Sequence, residues 1–117
     1  MSGSLSYHAG LSAEASVAEK YRRAGYEIIA RRWRSAAGEI DLIARKDGNI
    51  VFVEVKKSRS FDRAAQALGP RQISRICTSA AIYLDGEPAG QNSPARIDLA
   101  MVNGVGQVKI LPNAVAA

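Results

Sequence analysis

Hydrophobic and polar positions change period several times along the chain, and each change marks an element. From Ser12 to Ala24, Ala15, Ala18, Tyr21 and Arg22 recur at helical spacing, with Val17 beside them. Ser12 is the expected N-cap, Glu14 stands in the first turn, and Gly25 ends the run. Tyr26–Trp33 ("YEIIARRW") is rich in β-formers and predicts a strand. Two further strands, Gly38–Arg45 and Asn49–Lys57, flank Asp47-Gly48, a dipeptide suited to a two-residue hairpin because both positions tolerate positive φ.

Ser58–Gly69 reads as a connection with room for a short helical turn. Pro70 opens a second helix to about Leu84, with Ile73, Ile76, Cys77, Ala80, Ala81 and Leu84 as its apolar stripe. Asp85–Pro94 is a loop by composition, and Ala95–Val102 and Gln107–Leu111 are strands around "NGVG". The order is αβββαββ. The second helix carries the chain back over the sheet, so the Ala95 strand is expected parallel to the Asn49 strand. The expectation is one α/β domain over residues 1–117, a central mixed β-sheet flanked by helices, with residues 1–10 a disordered tail.

The Asp47-Gly48 turn also predicts a register. Lys46 faces Asn49, Leu42 faces Val53, Asp41 faces Glu54 and Glu39 faces Lys56. Ile40, Leu42, Ala44, Val51, Val53 and Val55 then share an apolar face. The other face carries Ile43 and Phe52 near the turn and gathers its charges at the far end. Directly opposed carboxylates repel by on the order of a few kcal/mol in a partly buried site. Mg²⁺ or Mn²⁺ between them would remove the conflict, and so would a shared proton. A third arrangement pairs Glu39 with Lys56 and splays Asp41 and Glu54 to solvent. Lys56 falls on the Glu54 face about 6.8 Å along the strand. There an ammonium can polarise a water or neutralise charge on a phosphoryl group, so acids, metal and lysine together suit phosphodiester hydrolysis.

Composition narrows the partners. The 117 residues, 47% apolar and 23% charged, suffice for one globular core. A single cysteine, Cys77, excludes an intramolecular disulfide and fits a reducing compartment. The first residues lack the basic-then-apolar pattern of a secretory signal, and no run approaches the ~20 apolar residues of a membrane span. A cytoplasmic protein without a membrane partner is expected. Net charge +5 directs attention to a polyanion. Basic residues cluster at Arg31, Arg32 and Arg34, at Lys57 and Arg59, and at Arg63, Arg71 and Arg75. Arg59 and Arg71 are the leading phosphate contacts, since both follow closely on the charged strand or open the next helix. Trp33 reads as a core cover before a base-stacking platform, Cys77 as a small buried hydrophobe, and Asp98 as structural. His8 has no partner His or Cys for a metal.

"GEIDLIA" followed after a short hairpin by "VFVEVK" resembles the YraN-type family of uncharacterised bacterial proteins. "AEASVAEKYRRAGYEIIARRWR", "PRQISRICTSAAIYL" and "RIDLAMV" extend the likeness over most of the chain. The resemblance implies a restriction-endonuclease-like core, related to archaeal Holliday junction resolvases, and a metal-dependent endonuclease acting on DNA, with branched structures among the expected substrates. By position Asp41, Glu54 and Lys56 match the signature Asp and Glu-x-Lys residues. Glu14 matches a further acid that can complete the metal shell, with Glu19 as the fallback because Ala13-Glu14 stands where Gly-Glu is common. Gln72 matches a polar residue opening the second helix and joins Arg59, Arg71 and Lys57 as the expected nucleic-acid contacts. Resolvase-like relatives pair to cut two strands, which makes a homodimer an expectation by analogy. The alternative is a non-catalytic nucleic-acid-binding protein that retains the nuclease fold.

Overall fold

A computed structural model describes the backbone of residues 2–115 and the side chains of residues 12–115. Helix α1 (Ser2–Arg23) leads into strands β1 (Glu27–Ser35), β2 (Gly38–Lys46) and β3 (Asn49–Lys57). Helices α2 (Phe61–Gln66) and α3 (Pro70–Leu84) and a 3-10 turn at Gly90–Asn92 precede strands β4 (Ala95–Val102) and β5 (Val108–Leu111). The strands lie side by side in chain order. The β3–β4 pair is parallel and the other pairs are antiparallel, as a helical crossover after β3 requires. The architecture is a mixed α/β fold with a five-stranded sheet flanked by helices, compatible with a restriction-endonuclease-like core. Asp47 and Gly48 hold φ of 52° and 79°, the positive values a two-residue hairpin turn demands.

Each side of the sheet has its own core. Ala13, Val17, Ala18 and Tyr21 of α1 pack on Leu42, Ala44, Val51, Val53, Ala100 and Val102. Ala80 and Leu84 of α3 pack on Ile40, Ile43, Ile50 and Phe52 from the opposite side. Ala64 of α2 covers Leu99 and Met101. Trp33 does serve as a cover over core: its ring stands edge-on to Tyr83 at 5.3 Å, and Tyr83 stands edge-on to Phe52 at 5.7 Å.

Four expectations need correction. Helix α1 begins at Ser2, so Ser12 is not its N-cap and the backbone of residues 2–10 is helical. No proline interrupts that stretch, and a helix already nucleated by packing extends at little further cost. The side chain of His8 lies outside the described residues. On α1, Ala15 and Arg22 are exposed, because the buried face centres on Val17 and Ala18. On α3, Cys77 is exposed and Ser79 is buried in its stead. Ser79 is drawn inward by its bonds to Ser35 Oγ (2.8 Å) and to the Gly38 carbonyl (3.2 Å), and a helix turned that way points Cys77 outward. Finally, Ile40 does not share a face with Leu42; it lies in the α3-side core.

The last correction exposes a matched break in the pleat of β1 and β2, across which their register is unchanged; the register itself shifts between Ile28 and Ala30. Ile40 and Ile43 face the same side, as do Ala30 and Trp33 of β1, although strict alternation would separate each pair. The β1–β2 ladder pairs Arg31 with Leu42 and Trp33 with Ile40 and skips Arg32 and Asp41 between them. Arg32 adopts φ of 50°, a left-handed conformation uncommon for a residue within a strand. Both strands therefore gain half a pleat at one point, and Asp41 sits at it.

Asp98 is wholly buried and structural. Its carboxylate accepts bonds from Tyr21 Oη (2.7 Å), Arg96 Nε (2.9 Å) and the Asn113 backbone N–H (2.9 Å). It ties α1, β4 and the C-terminal turn together on the α1 side of the sheet.

Candidate functional site

The β2–β3 ladder follows the expected register from Lys46–Asn49 to Leu42–Val53 and stops there. The expected Asp41–Glu54 and Glu39–Lys56 strand pairs do not form. Glu39 instead receives a bond from Arg34 Nε across β1 at 3.2 Å. The strands part where Asp41, unpaired opposite Arg32, turns its carboxylate into the gap. Its Oδ2 accepts the Val55 backbone N–H at 2.8 Å, the donor that a continuing ladder would have bonded to β2.

β3 remains straight through this point because it is still paired to β4 as far as Lys57–Val102. Alternation then places Glu54 and Lys56 on the α3 side. Glu54 is 5% exposed, accepts a bond from Gln72 Nε2 of α3 and lies 3.5 Å from Lys56 Nζ. Burial, then a side-chain hydrogen bond and charge from Asp41, pushes its carboxyl up from 4.5 to about 8, while Lys56 opposes the rise. The two acids therefore meet at their side chains even though their backbones are not partners. A cavity of about 320 Å³ opens over them, lined by Asp41, Glu54, Lys56, Gln72, Arg75 and the Gly38 backbone among others.

The remaining candidates separate. Glu14 reaches toward this region from α1 but is held by Arg32 Nε at 3.2 Å. Its carboxyl is raised, first by burial and then by the Asp41 charge, with Arg32 opposing. Among the described residues no three of His, Cys, Asp and Glu gather into a metal-binding group. Glu19 is exposed and pairs with Arg22 and Arg23 on the surface of α1. Lys57, Arg59 and Arg71 are exposed and do not line the cavity. Gln72 lies within it, bonded to Glu54. Arg75, absent from the leading candidates, does line it. It follows Gln72 by three residues, and helical spacing alone places the two on one face.

A family model describing an uncharacterised protein family, UPF0102, matches residues 13–102. The chain belongs to that family. It is the same family that the hairpin and its flanking helices resemble in sequence. A UPF0102 protein of Cereibacter sphaeroides is 51% identical over 117 residues, covering 100% of both chains. One of Ruegeria pomeroyi is 51% identical over 112 residues, covering 96% of this chain and 91% of its own. One of Roseobacter denitrificans is 50% identical over 114 residues, covering 97% and 88% respectively. The UPF0102 match runs from Ala13, just before Glu14, to Val102 at the end of β4, and so contains the whole of the cavity lining. No helix among the described residues is long and apolar enough to cross a membrane.

Proposed function

We propose that this UPF0102 protein is a Mg²⁺-dependent endonuclease that hydrolyses DNA phosphodiester bonds in the cytoplasm, with branched DNA as the leading substrate. The observation that carries the reading is the meeting of the Asp41 and Glu54 carboxyls beside Lys56 in one cavity. The donor set fits a hard cation. Both acids offer oxygen, and the crowding that raises Glu54 is relieved by a divalent charge between them. Asp41 and Glu54 would hold Mg²⁺ or Mn²⁺, which when bound lowers the pKa of water and orients a phosphate.

The chain's own groups supply the rest. Gln72 fixes one oxygen of Glu54 and so sets the direction of that carboxylate. Lys56, 3.5 Å from Glu54, holds its ammonium where it neutralises charge growing on a phosphoryl oxygen. Arg75 offers a guanidinium at the cavity for a neighbouring phosphate, and Lys57, Arg59 and Arg71 extend the cationic surface beyond it. A homodimer, placing two such cavities on two strands, belongs to the same proposal and is read by sedimentation with and without DNA.

The test is a panel of linear, single-stranded, flapped and four-way DNA, incubated with and without Mn²⁺. Cleavage that requires the metal and vanishes in Lys56→Ala, with the fold intact by circular dichroism, supports the proposal. Cleavage that persists unchanged in Lys56→Ala overturns the assignment. The lack of a three-acid group among the described residues favours a second reading, a non-catalytic nucleic-acid-binding protein. Salt-sensitive DNA binding without cleavage under any metal would select it.

A further inference from the structure

Arg32 is the one place where β1 departs from strand geometry by a positive φ, and it stands beside Asp41. A non-glycine residue held left-handed within a strand is strained and persists only where its surroundings over-determine it. One part of those surroundings is a carboxylate of α1. The Arg32 side chain is bonded at 3.2 Å to Glu14, which is itself half-buried on α1. Asp41 is left without a strand partner on either side and satisfies the Val55 N–H with its carboxylate.

We propose that Glu14 and Arg32 form a clasp that holds this kink open, so that Glu14 acts on the carboxylate site through Arg32 and not as a ligand. The inference rests on the nuclease reading only for its consequence, the placement of Asp41 for a cation. The kink itself is independent of metal. Glu14 and Arg32 are thus positioning residues. Without the clasp, residue 32 relaxes to ordinary strand geometry, Arg32 and Asp41 pair across β1 and β2, and the Asp41 carboxylate leaves Val55.

A glycine at position 32 distinguishes a clasp from a ligand, because glycine adopts positive φ without strain and needs no anchor. Val55 amide exchange by NMR and Mn²⁺ titration by calorimetry are measured on the full chain. The proteins are the native chain, Glu14→Gln, Arg32→Gly and the double variant. The expectation is that Glu14→Gln speeds Val55 exchange about tenfold and weakens Mn²⁺ binding by a similar factor. Arg32→Gly should restore both to near-native values even when Glu14→Gln is present. Unchanged Val55 exchange in Glu14→Gln overturns the clasp. So does weakening of Mn²⁺ binding that survives in the double variant, since Glu14 would then touch the cation directly. If the native chain takes no Mn²⁺, the nuclease reading fails, and Val55 exchange alone still decides the clasp.

Discussion

The carboxylate of Asp41 accepts the backbone N–H of Val55 at 2.8 Å and stands in for a missing strand partner. A side chain performs a backbone's task, and the carboxyl is thereby carried to Glu54. The arrangement makes a buried Glu54 beside a half-buried Asp41 compatible with a folded sheet, since the gap left by the parted strands is closed by the Asp41 carboxylate itself. If so, Asp41→Asn should retain much of the Val55 bond while removing the charge. The Glu54 midpoint, followed by carboxyl NMR, should then fall below about 8 yet stay above 4.5, because burial is the larger cause of its elevation.

Stability should depend on pH with an unusual sign for a carboxyl. Glu54 rises from 4.5 to about 8 on folding, so the folded chain keeps a proton that the unfolded chain has released. Its contribution is complete below pH 4.5 and declines as pH rises toward about 8, at up to roughly 1.4 kcal/mol per unit. Glu14 is shifted in the same direction and adds to the slope. Urea denaturation at the two ends of this window should show the decline. Glu54→Gln should flatten it, and saturating Mn²⁺ should flatten it too, because a bound cation favours the carboxylate form.

Asp98 should matter for folding and not for chemistry. Asp98→Ala strips the acceptor from Tyr21, Arg96 and Asn113 at once and should cost about 3 kcal/mol, the lower end for breaking a buried charged network because Arg96 is partly exposed. Tyr21→Phe removes one charge-assisted bond and should cost roughly 2 kcal/mol. Chemical denaturation measures both. Any Mn²⁺ affinity should be unchanged at temperatures where the variants remain folded.

The turn joining β1 to β2 should be sensitive at Gly38. Its φ of 147° falls where a side chain is strained, although a Cβ there would meet Arg75 Cβ and Ser79 Oγ at ordinary contact distances of 3.9 and 4.0 Å. Gly38→Ala should therefore cost on the order of 1–2 kcal/mol through backbone strain alone. Since α3 is docked to this turn by Ser79, a shift of the turn also moves Gln72 and Arg75 over the cavity. Thermal unfolding reads the first effect and the Gln72 side-chain NMR signals read the second.

If DNA lies across the cavity, single replacements of Lys57, Arg59, Arg71 or Arg75 by Ala should weaken binding alike for all sequences. Each true phosphate contact removed should lower the salt slope by about 0.9. Gln72→Ala should leave the slope unchanged, because its amide serves Glu54. Fluorescence anisotropy over a salt series separates the two classes.

The amino-acid sequence by itself determined the order of elements, the Asp47-Gly48 turn and the register from Lys46–Asn49 to Leu42–Val53. These follow from local rules: strand alternation, helical spacing and the positive φ that a two-residue turn demands. The same rules placed Glu54 and Lys56 on one face, since i and i+2 on a straight strand must share it. Local rules fail where the chain is bent by something distant. Alternation counted Ile40 with Leu42 and Asp41 opposite Glu54, because nothing in β2 marks the break in its pleat. The break lies opposite Arg32, which holds a positive φ on another strand and is bonded to Glu14 on a helix. Helical spacing likewise chose Cys77 over Ser79, because only the docked β1–β2 turn supplies the bonds that draw a serine inward. Tertiary packing decided which residues meet at the cavity, Gln72 and Arg75 included, because contacts across elements depend on how each helix is rotated and where each strand yields.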